Sequence, residues 1–108
     1  MMIEQPNLDY IKEISGGNAD FEKKFLTIIQ TEFPKEKQDY IETLEGNELE
    51  ESAKIVHKIK HKLGILGLTE GYKLAVKYEE DLKYGNTNLK GEFLKILQSV
   101  EEFISKIA

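Results

Sequence analysis

Apolar residues recur at steps of three and four through four long stretches of this chain, and no stretch alternates apolar with polar residues as a half-buried strand does. A 3.6-residue period places such residues on one face of a helix, so the chain is expected to be all-α. Asn7 is the cap candidate for a short first helix with Leu8, Ile11 and Ile14, ended by Ser15-Gly16-Gly17. Asn18 or Asp20 then caps a long segment in which Phe21, Phe25, Ile28 and Ile29 share one face, predicted as core. Pro34 lacks an N–H and crowds the preceding turn, yet the spacing resumes at Tyr40, Ile41 and Leu44, which predicts one long helix kinked near Phe33. Glu45-Gly46-Asn47 supplies a C-terminal glycine and a fresh cap before the next helix.

That next helix carries Leu49, Ser52, Val56, Ile59, Leu63 and Leu66 on one stripe. Gly67 or Thr69 marks a turn, and Tyr72, Ala75, Tyr78 and Leu82 form another stripe that ends at Tyr84-Gly85-Asn86. Thr87 or Asn88 caps a last helix with Leu89, Phe93, Ile96, Leu97, Val100, Phe103, Ile104 and Ile107. Phe21, Phe25, Tyr72, Tyr78, Phe93 and Phe103 all stand at helical spacing and are assigned to the core. Short connections favour antiparallel neighbours, hence an antiparallel up-and-down four-helix bundle with a short additional N-terminal helix. A chain of 108 residues suits a single domain spanning 1–108, which buries roughly 60 to 70% of its unfolded surface. Met1-Met2 and the compact length favour a free-standing protein.

Composition narrows the chemistry. With no cysteine, disulfides, thiolate nucleophiles and cysteine metal sites are excluded. A formal net charge of -5 opposes binding along a nucleic-acid backbone. The chain shows neither a basic leader followed by an apolar run nor an apolar stretch of the roughly 20 residues that span a bilayer, so a cytoplasmic protein without membrane partners is expected. No phosphate-binding glycine loop, dinucleotide fingerprint or nucleophile elbow is present.

One stretch departs from this acidic background. Ile55 to Leu68 holds both histidines, His57 and His61, and a cluster of lysines. At about 100° per residue, with Val56 at zero, the apolar stripe lies between about -80° and +20°. Lys60 falls at about +40°, Gly64 at about +80°, His57 at about +100° and His61 at about +140°, so His57 sits on the flank of the stripe. His57 and His61, four apart, have a spacing that can seat a metal ion, but a zinc-protease helix requires Glu where Lys58 stands, and cationic neighbours oppose a divalent ion. No metal is assigned. An imidazole among lysines is better suited to phosphate, because neighbouring cations oppose protonation of the ring and attract a phosphoryl group. Lys60, three residues on, is within reach of His57, and Gly64 removes bulk on the same face. Lys54, Lys58 and Lys62 are read as a solvated face.

The run His57-Lys58-Ile59-Lys60-His61-Lys62-Leu63-Gly64-Ile65-Leu66-Gly67 resembles the signature of histidine-containing phosphotransfer (HPt) domains, with His57, Ile59, Lys60, Leu66 and Gly67 at the matching positions. The resemblance extends over nearly the whole chain: a short helix with a Gly-Gly turn, a Phe-rich helix bearing Pro, and Gly-Asn before and after the histidine helix and its successor. Val56 departs from the usual alanine, His61 from glycine, and Lys62 from serine or alanine. What the resemblance implies is a phosphorelay intermediate. His57 takes a phosphoryl group through Nε2 from the phosphoaspartate of a receiver domain and passes it to another receiver, with Lys60 stabilising the phosphate. Lys54, His61, Gly64 and Leu68 would form the docking face. The implied partners are response-regulator receivers and a hybrid histidine kinase, with the chain itself a monomer. It would be a phosphocarrier, not an enzyme, with no cofactor of its own, and magnesium would come from the receiver. The competing expectation is a non-catalytic helical interaction module, a pseudo-HPt, that docks a receiver or other acidic partner.

Overall fold

The computed structural model describes residues 4–107. The inference from Met1-Met2 and the two ends of the expected 1–108 domain lie outside the described residues. Five helices follow in order: α1 (Asp9–Ser15), α2 (Ala19–Glu45), α3 (Leu49–Ile65), α4 (Thr69–Lys83) and α5 (Lys90–Lys106). Among the described residues there is no strand, and no helix is long and apolar enough to cross a membrane. Helix α3 packs against α2 on one side and α4 on the other; α5 packs against α2 and α4, and α1 against α2. Helix α2, with 27 residues, should measure roughly 40 Å at 1.5 Å per residue. It accounts for the longest dimension of the molecule, 43 Å.

The helix ends follow from local chemistry. Asn18 caps α2 by accepting from the Phe21 N–H at 3.0 Å. Asn7 sits one residue further out than a cap, accepting from the Asp9 N–H at 3.1 Å, while Leu8 takes the N-cap position of α1. Pro34 lies inside α2, which is one continuous helix through it. After α2, the left-handed residue is Asn47, at φ 57°, whereas Gly46 stays at φ -79°. Asn47 therefore turns the chain and does not cap α3, whose N-cap is Glu48. Thr87 and Asn88 likewise give way to Leu89 as the N-cap of α5.

After α3 the chain turns at Gly67 (φ 78°), where the Leu68 N–H reaches the Leu63 carbonyl at 2.9 Å. A Cβ on Gly67 would stand 2.5 Å from Asn7 Nδ2, so another residue here would strain the backbone and displace the Asn7 side chain. Residues 4–8 lie across this turn. The Asn7 N–H bonds to the Leu66 carbonyl at 2.8 Å, and the Glu4 carboxylate accepts from the Glu70 and Gly71 N–H groups at 2.9 and 3.0 Å. Helix α4 has no side-chain cap from its own N-cap residue, Leu68. Glu4 supplies the missing acceptor and places a negative charge where the helix dipole favours it.

The predicted stripe of α3 is the centre of the core. Ser52, Val56, Ile59, Leu63 and Leu66 are fully buried, with Phe33, Tyr40, Tyr78, Phe93 and Leu97 around them. Tyr40 and Tyr78 share a hydrogen bond of 2.6 Å inside this core, and Phe93 packs edge-on against Tyr40. The face predicted for the start of α2 needs correction. Ile29 and Phe33 are buried and Phe25 half-buried, but Phe21 and Ile28 are exposed. The inward line runs Phe25, Ile29, Phe33 at steps of four, which leaves Ile28 and Phe21 turned outward. Tyr72 also lies at the surface, at 36% exposure, instead of in the core.

Candidate functional site

Helix α3 lies between two neighbours, and its two polar flanks meet different ones. The flank at about +100° from Val56, carrying His57, faces α4. On α4 the matching flank position is Glu79, the residue after the buried Tyr78 just as His57 follows the buried Val56. Glu79 holds both basic side chains of the site: His57 Nδ1 lies 3.0 Å from its Oε2, and Lys60 Nζ donates to its Oε1 at 2.9 Å. The Lys60 and Glu79 side chains are only 11% and 13% exposed, whereas that of His57 is 51% exposed. A partly buried ion pair thus supports a half-exposed imidazole.

Burial by itself would push the Glu79 carboxyl up. Hydrogen bonds from Lys60 and then His57, with the charge of both, outweigh it and hold the carboxyl below the usual carboxylate range. Glu79 is therefore ionised at neutral pH and can only accept hydrogen bonds. From this the His57 tautomer follows: Nδ1 must carry the proton that Glu79 accepts, and in the neutral ring the lone pair is then at Nε2. The sequence surrounds His57 with lysines, but the structure sets a carboxylate from another helix against its ring. Its nearest charge is a carboxylate, and Lys60 acts on that carboxylate.

His57 also meets His61, one turn on. Their rings stand nearly perpendicular, at 87° with centroids 4.9 Å apart, and the two Nε2 atoms are 3.4 Å from each other. Gly64, a further turn along, is exposed and faces Tyr72, whose Cδ2 would stand 3.3 Å from a Cβ at that position. The missing side chain lets Tyr72 lie across α3, with its ring centroid 6.0 Å from Lys60 Nζ. On the other side of His57 an open groove of about 720 Å³ runs between α3 and α4, lined by Lys54, Lys58, His57 and Lys83 together with Glu50, Ala53 and Glu79. Lys83 approaches Glu79 and Glu80 at 3.8 Å, and Lys54 pairs with Glu51 at 3.1 Å.

Of the residues singled out from sequence, His57, Lys60, His61 and Gly64 come together on one surface, and Lys54 lines the adjoining groove. Leu68 does not join them. It is 2% exposed, part of the core below the α3–α4 turn, and offers no surface for docking. Lys62 is not on a solvated face either. It lies on the opposite flank of α3, where Glu32 and Glu36 of α2 hold its ammonium at 2.9 and 3.0 Å. Burial would push the Lys62 ammonium down, but the bonds to Glu32 and Glu36 outweigh this and raise it above the usual lysine range.

Glu79 is the residue that sequence reasoning missed. Its signal was its place one step past Tyr78, on the flank of the α4 stripe, with the right charge to meet a lysine close to the core. Among the described residues, no group of three or more His, Asp or Glu stands close enough to hold a metal ion. The chain matches no family model, no curated protein and no solved structure.

Proposed function

We propose that this chain is a phosphocarrier of the histidine-containing phosphotransfer type, which accepts a phosphoryl group on His57 from a receiver-domain phosphoaspartate and passes it to the aspartate of another receiver. One observation carries the reading: Glu79 holds Nδ1 of a half-exposed imidazole, which makes Nε2 the nitrogen with the lone pair and so the nucleophile of the neutral ring. In the transfer, the Nε2 lone pair attacks phosphorus and forms the P–N bond. The bond from phosphorus to the aspartyl oxygen breaks, and the aspartate keeps its electron pair. His57 retains its Nδ1 proton, so the ring becomes cationic and the ionised Glu79 stabilises it. Lys60, anchored on Glu79, is close enough to attract the incoming phosphate. Magnesium held by the receiver supplies charge neutralisation on that side, and this chain needs no nucleotide site.

The architecture that suits this role is an antiparallel up-and-down bundle of α2 to α5, with α1 added. The short connections of residues 46–48, 66–68 and 84–89 support it. The groove beside His57, with Lys54, Lys58 and Lys83, suits the acidic surroundings of a phosphorylated receiver. A second reading, a docking module without chemistry, draws on one observation, the His61 ring next to Nε2 of His57. The two are separated by mixing the protein with a phosphorylated receiver. Label should appear on His57 as an acid-labile, base-stable phosphoramidate. Label transfer that survives His57→Gln unchanged refutes the carrier. Receiver binding without any label, indifferent to loss of the imidazole, supports the docking module.

A further inference from the structure

The contact between the two histidines is not explained by the role given to His57. A carboxylate accepts the Nδ1 proton of His57, so its Nε2 bears a lone pair. With both rings neutral, two lone pairs at 3.4 Å would repel, so the contact is favourable when His61 carries its proton on Nε2 and directs it at Nε2 of His57. The nitrogen that must attack phosphorus is thus occupied in the resting protein by a neighbour from its own helix.

We infer that His61 is a positioning residue that holds His57 in a resting state, its N–H bonded to the nucleophilic lone pair, and must turn away before phosphoryl transfer. This rests on the phosphocarrier reading and adds a restraint to it. His61 is exposed and i+4 to His57, so its ring can swing into solvent without disturbing the core. Glu79 would hold the His57 ring in place while it does so. A lone pair left uncovered would need no such turn, so loss of the His61 ring should speed phosphoryl transfer.

The test uses potassium phosphoramidate, a small donor that keeps receiver docking out of the rate. The His57 lone pair forms the new P–N bond while the P–N bond of the donor breaks, and ammonia leaves with that electron pair. His61→Ala should label His57 about 2- to 10-fold faster than the wild type, the range expected for releasing one neutral hydrogen bond. His61→Gln, whose amide N–H can reach the same lone pair, should return the rate toward wild type. In ¹⁵N spectra of the unphosphorylated protein, His61→Ala should move the His57 Nε2 signal toward that of a free lone pair and leave the Nδ1–H signal in place. An equal or lower rate in His61→Ala, or an unmoved Nε2 signal, overturns the inference while labelled wild-type His57 keeps the carrier standing. A wild type that takes no label on His57 from phosphoramidate or from a phosphorylated receiver overturns both.

Discussion

Replacing Glu79 with Gln changes one oxygen to an amide nitrogen and nearly conserves shape, so it isolates the role of the charge. Two donors compete for the new side chain, the Lys60 ammonium at 2.9 Å and His57 Nδ1–H at 3.0 Å. An amide N–H₂ pointed at an ammonium places donor against donor, so the amide oxygen turns to Lys60 and the N–H₂ to His57. Nδ1 must then accept, and the imidazole proton moves to Nε2, the nitrogen that attacks phosphorus. Recovering the nucleophilic tautomer costs a neutral hydrogen bond of about 0.5 to 1.5 kcal/mol, which slows transfer about 2- to 10-fold. The partly buried Lys60 also loses its counter-charge while keeping one neutral acceptor. A stability loss of about 2 kcal/mol is expected, lowering Tm by about 10 °C. Because the folded carboxyl is depressed, its stabilisation is present above the ordinary value of 4.5 and is lost as pH falls through the folded value. The stability gap between wild type and Glu79→Gln should therefore be full at pH 7 and close in acid below that value. Long-range ¹H–¹⁵N spectra report the tautomer, and label transfer from a phosphorylated receiver reports the rate. A Glu79→Gln protein that keeps its proton on Nδ1 and transfers within twofold of wild type refutes the proposed role of the carboxylate.

Three further outcomes follow from contacts away from the site. Lys62→Met should cost about 2 to 3 kcal/mol in urea unfolding, because it leaves the half-buried Glu36 carboxylate, whose Oε1 has no hydrogen-bond partner among the described residues, without its cation; Lys62→Met with Glu36→Leu should recover most of that loss. Tyr40→Phe orphans the Tyr78 hydroxyl inside the core and should cost about 1 to 3 kcal/mol, whereas Tyr40→Phe with Tyr78→Phe should cost less than the sum of the two single changes in a double-mutant cycle. Glu4→Gln should remove about 1 kcal/mol at low salt, with amide exchange of Glu70 and Gly71 speeding up before that of the core, and the loss should shrink in high salt.

Much of this protein can be read from the chain before it folds. The 3.6-residue period placed Val56, Ile59, Leu63 and Leu66 in the core and put His57 on the flank, because residue spacing alone determines which side chains share a helix face. Lys60, at about +40° from Val56, was already close to that core, which agrees with its low exposure. Periodicity cannot say which neighbour each flank meets, and here α3 lies between two helices. One flank met Glu79 of α4, which converts a histidine among lysines into an imidazole with an assigned tautomer. The other met Glu32 and Glu36 of α2, which bury Lys62 where a solvated lysine was expected. Packing also withdrew Leu68 from the surface and turned Phe21 and Ile28 toward it. The helices and the inward face of α3 were local properties of the sequence. Charge partners more than 18 residues apart, and with them the chemistry open to His57, depended on how the helices came together.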